Sequence, residues 1–150
     1  MKNLYALLLS TAFYATASAQ FTATVQMDKH IEGICNDQEV YALFPGFTGQ
    51  VEASCPLTKK EIETLLNRIP FLKENPTFKG EGMIGFYISC EGQMLECEMD
   101  KKTKSKELDA QIETVFKELE DWKAGTLYDK AVDSRMLYSF EIKKGKLVLN

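Results

Sequence analysis

The chain carries one histidine, one tryptophan and four prolines among its 150 residues, and each shortage narrows what it can do. His30 has no nucleophile beside it in a recognisable motif, so a surface or structural role is its better reading. The cysteines lack the close pairs of a zinc site, and no glycine-rich phosphate loop is present. GEGMIG (80–85) leads into a strand rather than a helix, where its glycines ease a tight approach to a sheet. The balance of 18 basic against 22 acidic residues offers no clustered basic surface for nucleic acid. The one basic cluster, MDKKTKSK (99–106), reads as a solvated loop. DKHIEGICNDQE (28–39) has Asp, Gly and Glu where a calcium loop needs them, but His30 and Glu32 hold two ligand positions and the flanks are strand-like. Proline in the middle of Asn75-Pro76-Thr77 removes the glycosylation signal. No catalytic residue, metal site or cofactor is expected, and no enzymatic activity.

What is present begins with MKNLYALLLSTAFYATASAQ, the three-part pattern of a secretory signal peptide over 1–19. Cleavage after Ala19 makes Gln20 the first residue. The apolar run from Leu4 to about Ala17 is shorter than the roughly 20 residues a helix needs to cross a bilayer, and no later stretch is long enough. The expected location is periplasmic or secreted, without stable membrane insertion. Removing 19 residues leaves 131, a single-domain length able to bury its own core. The four cysteines, Cys35, Cys55, Cys90 and Cys97, favour disulfides in an exported chain and allow three connectivities. With a turn at Glu91-Gly92, Cys90 and Cys97 stand roughly 10 Å or more apart, too far to bridge. Each is expected to pair with Cys35 or Cys55.

FTATVQM (21–27) and EVYALF (39–44) have the composition of strands, PGFTG (45–49) is a turn, and QVEASC alternates like a half-buried strand. Together they form a β-rich extension over 20–56. In LTKKEIETLLNRIP, Thr58 caps a helix with Glu61 reaching back, Ile62, Leu65, Leu66 and Ile69 make its apolar face, and Pro70 ends it. FLKENPTFKGEG (71–82) is a turn-rich connector. MIGFYISCEGQMLECEM reads as a hairpin with Ile84, Phe86, Ile88, Leu95 and Cys97 on one face; Tyr87, Ser89, Met94, Glu96 and Glu98 take the other. Leu108, Ile112, Val115, Leu119 and Trp122 form a helical stripe, capped by Ser105 and ended by Gly125 in a left-handed conformation. In the final strand, Met136, Tyr138, Phe140 and Ile142 alternate with Arg135, Leu137, Ser139 and Glu141, and KKGK turns the chain into LVLN. The order predicts an α+β domain over 57–150, a small antiparallel sheet with two helices packed on one face.

GFYISCEGQMLECEM, ELDAQIETVFKEL, WKAG, DKAV and LYSFEI follow one another at spacings that resemble the C-terminal domain of the TonB energy-transducer family, Bacteroidetes type. The resemblance runs from about Phe78 to Ile142, roughly half of the mature chain. Ala124 stands where the family has proline and Asp129 where it has glycine. The family's transducers also have an uncleaved membrane helix and a long proline-rich spacer; with a cleavable signal expected and four prolines in all, energy transduction is not implied here. The resemblance does imply recognition by strand addition, in which an extended peptide of an envelope protein pairs with an edge strand. It places that edge on the last strand, with Arg135, Leu137, Ser139 and Glu141 at outward or rim positions. A covered edge implies the alternative, a disulfide-stabilised structural or accessory envelope domain without peptide binding. LVLN or a strand of the front third is the expected cover.

Overall fold

The computed structural model describes residues 21–150; the expected signal peptide lies outside the described residues. No helix among them is long and apolar enough to cross a membrane. Three short strands come first, β1 (Ala23–Thr24), β2 (Val40–Ala42) and β3 (Gln50–Val51). Helices α1 (Lys59–Leu66) and α2 (Pro70–Glu74) lead to the hairpin β4 (Gly80–Ile88) and β5 (Met94–Lys101). Then follow α3 (Lys106–Lys117), β6 (Gly125–Leu127), β7 (Lys130–Lys143) and β8 (Lys146–Leu149). The main path through the sheet is β1-β2-β7-β4-β5, with β8 on β7 and β3 joined through β6.

The fold is mixed α+β, and one core joins Ile62, Leu72 and Phe116 of the three helices to Phe86, Met99 and Phe140 of the sheet. It departs from expectation in several places. There are three helices rather than two, because Pro70 starts α2 instead of only ending α1; a first-turn proline lacks only an N–H that would have had no helical partner. The sheet is not wholly antiparallel, since β2 runs parallel to β7, with Val40 opposite Asp133. Through β1, β2 and β3 the described part of the extension, 21–56, joins the sheet, and it lends Ala53 to the core.

Thr58 and Glu61 form the expected capping box, and Ser105 caps α3 by accepting the Leu108 N–H. The stripe after Ser105 is only partly helical. α3 ends at Lys117, and Phe116 rather than Val115 is fully buried. Leu119 and Trp122 reach the core from the segment that follows, where Asp121 takes the left-handed conformation (φ 56°) assigned to Gly125. Trp122 packs edge-on to Phe86 at 5.1 Å and donates its indole N–H to the Leu119 carbonyl at 3.1 Å. Gly125 is structural for another reason: a Cβ there would collide with Leu43 and press on the Ala53 and Val51 backbone.

The β4–β5 turn spans five residues, closed by the Ser89 N–H on the Gln93 carbonyl at 2.9 Å, not the two expected. Glu96 has φ 41° and stands without a cross-strand partner, an extra residue that changes the parity of β5. Cys97 and Met99 face the core, whereas Met94 packs on the core and Leu95 lies across from Tyr87 under Gly33, the reverse of the expected pair.

Candidate functional site

The edge assigned to the last strand is partly covered and partly free. On one flank β4 pairs with β7 continuously, from Ser134 to Ile142. On the other, β2 covers Asp133 and Ser134, and β8 covers Phe140 to Lys143. Asn150 donates its N–H to the Ser139 carbonyl at 2.9 Å, which closes the β8 end. Among the described residues, no strand pairs with Arg135–Tyr138 on this flank. Backbone groups alternate sides along a strand, so the direction of the Ser139 carbonyl turns the N–H and C=O of Leu137 into the same gap. The Leu137 side chain is 51% exposed.

Two of the sheet's outer strands, β5 and β8, are closed in part by helix side chains. On β5, Glu113 of α3 accepts the Met99 N–H at 3.0 Å, and the Glu96 bulge distorts the rest. On β8, Asn67 makes both bonds of a strand partner to Leu147, at 2.9 and 2.8 Å, and Glu63 accepts the Leu149 N–H at 3.0 Å. The gap beside Leu137 has no such closure. β2 leads toward it in parallel with β7, and just past the end of β2 lies an exposed aromatic cluster of Phe21, Phe44 and Phe47, with ring centroids 5.2 to 6.3 Å apart.

The four expected edge residues have different fates. Arg135 is held on the outer face by Asp100, at 2.6 and 2.8 Å, and by the Tyr87 hydroxyl at 2.8 Å. Burial works against its charge, but Asp100 and Tyr87 outweigh it and its pKa is raised. Ser139 is closed by Asn150, and Glu141 stands opposite Val148 of β8 and pairs with Lys143 at 2.7 Å. Leu137 alone faces the gap with both backbone and side chain free.

Cys35 bonds Cys90, one of the pairings expected; Cys55 and Cys97 do not pair with each other or with these, and remain thiols. Burial pushes the Cys97 thiol up to about 12, with Lys117 opposing and Glu113 adding to the rise. Cys55 stands in the wall of a groove of about 470 Å³ between α1 and the end of α3, lined also by Leu65, Ile69, Val115 and Leu119. The Tyr138 hydroxyl is raised by burial and then by the nearby charges of Cys55 and Glu52. His30 is exposed and hydrogen-bonds Asp37 at 2.6 Å.

Asp133 was not singled out by sequence. Its carboxylate is 2% exposed and accepts the N–H of Asn36 and the N–H of Cys90, both at 2.8 Å. The available signal was an acidic residue set between Val132 and Ser134 in an otherwise apolar-alternating strand, a position that demands buried partners.

Fold and edge define an α+β domain whose sheet leaves one short inner strand segment free to pair. No family model, curated protein or solved structure matches the chain.

Proposed function

We propose that this protein is an exported TonB-like interaction domain that binds an extended segment of a cell-envelope protein by strand addition, in the periplasm or outside the cell. It is not an energy transducer and carries out no enzymatic step. The observation that carries this reading is the free Leu137 edge between β2 and β8. Backbone bonds to Leu137 supply register, and side chains of the guest segment contact the exposed Leu137 and the Phe21, Phe44 and Phe47 cluster. The ordered motifs from the hairpin to LYSFEI support the family likeness, and the Cys35–Cys90 disulfide supports export.

Titration of the 15N-labelled protein with synthetic peptides copied from extended segments of envelope receptors tests this. Binding shifts the amides of Arg135 to Ser139 first, and Leu137→Pro, which removes the N–H in the gap, abolishes it while circular dichroism stays unchanged. If no peptide of the panel moves those amides, strand addition is wrong. The coverage of Asp133–Ser134 and Phe140–Lys143 favours a second reading, a disulfide-stabilised accessory domain without peptide binding. Equal hydrogen-exchange protection along all of β7 is its signature.

A further inference from the structure

We propose that the Cys35–Cys90 disulfide is a redox latch on this same edge: its reduction by a dithiol lets β2 leave β7 and lengthens the segment free to pair. This rests on the strand-addition reading and adds its regulation.

Three features meet at Asp133. Cys35 belongs to the extension and lies five residues before β2, while Cys90 lies in the turn that follows β4, the strand on the opposite flank of β7. The bond therefore ties β2 to the far side of its own docking strand. The buried Asp133 carboxylate, on β7, takes the Cys90 N–H with one oxygen and the N–H of Asn36, next to Cys35, with the other. Val40, the first residue of β2, stands opposite the same Asp133. A carboxylate this deeply buried is stable only while its donors are held against it, and the disulfide holds both.

Without the bond little keeps β2 in place. Its pairing with β7 covers two positions, Val40 with Asp133 and Tyr41 with Ser134. Ile31, Val40 and, just past β2, Leu43 are the buried apolar residues of this segment. The later part of the extension is anchored separately, through β3 on β6 and Ala53 in the core, so the opening stays local.

The bond is also reachable. Cys35 is exposed, and a cleft of about 210 Å³ opens onto Cys35, Cys90, Lys130 and Asp133. Exposed disulfides are the ones that exchange readily. One thiolate of the reductant attacks the Cys35 sulfur, the Cys35–Cys90 bond breaks, and Cys90 leaves as a thiolate that takes up a proton. The second thiol of the reductant then displaces Cys35, which is protonated in turn. The protein gains two electrons and two protons as two thiols, and the dithiol becomes a disulfide. Departure of β2 extends the free edge from Arg135–Tyr138 back to Asp133, and the two added positions strengthen pairing with a guest.

Amide hydrogen exchange of the mature chain, oxidised and then reduced, reads the latch directly. Reduction is expected to speed exchange at Val40–Ala42 and Asp133–Ser134 by about tenfold or more while β4 and β5 hold, the pattern of local rather than global opening. The Cys35→Ser, Cys90→Ser double variant shows the same pattern without reductant. A fluorescent peptide of sequence EVYALF, the chain's own 39–44, binds the reduced form about tenfold more tightly than the oxidised form. Unchanged protection of β2, or loss of protection across the whole sheet at once, overturns the latch. Receptor peptides that bind at Leu137 equally in both redox states leave strand addition standing and remove the latch. Opening of β2 with no receptor peptide bound at Leu137 keeps the latch and removes the partner.

Discussion

Cys55 and Cys97 are the same chemical group in opposite surroundings. Cys97 sits in the core with a pKa near 12, whereas Cys55 opens onto a groove and accepts the Leu57 N–H at 3.4 Å. At about pH 8 a thiol with that pKa is ionised roughly a thousandfold less than an ordinary one, so alkylation followed by mass spectrometry should label Cys55 and spare Cys97 until the chain unfolds. The same shift sets a pH dependence. The unfolded chain releases the Cys97 proton near 9.0 and the folded chain only near 12, so the unfolded state binds fewer protons in that window. The stabilising contribution is complete below about 9 and is lost as pH rises toward 12, which a series of denaturant titrations reads out. Ser134 offers a second test. Its hydroxyl is buried without a hydrogen-bond partner, so Ser134→Ala should leave stability unchanged or raise it by about 1 kcal/mol. A loss of that size instead means the hydroxyl is bonded.

At the scale of elements, the turn between β6 and β7 holds a strained residue the sequence had marked. Asp129, where the resembled family has glycine, has φ 64°, next to Tyr128 at φ 49°. Asp129→Gly removes the left-handed cost and should stabilise the fold by roughly 0.5–1 kcal/mol in thermal unfolding, with a drop in stability counting against it. Gly125→Ala should do the reverse, by about 1–3 kcal/mol, because the new methyl meets Leu43 and fixed backbone. The two helix caps and the alternation of β7 were legible because their signals lie within a few residues. The facing of Met94 and Leu95 was not, since one added residue at Glu96 inverts a period-two pattern without changing its composition. The edge was half legible. LVLN and a strand of the front third are the expected covers, and both lie on β7, but which front strand docks and that it runs parallel depend on a contact more than ninety positions away, which no local pattern encodes.

For the whole molecule, the Cys35–Cys90 bond spans 55 positions and joins the first third to the hairpin. Chain-entropy arguments give such a loop roughly 4 kcal/mol, so the Cys35→Ala, Cys90→Ala variant should lose about that much in denaturant unfolding. A loss near zero means that packing alone holds the extension in the global fold. The helix side chains that close the outer strands have a consequence for assembly. Glu113, Asn67 and Glu63 occupy bonds through which one copy could extend another's sheet along β5 or β8. The remaining gap is bounded at both ends by the chain's own strands. A segment entering it presents no long new rim, so the gap takes up a single strand and offers no template for a growing sheet.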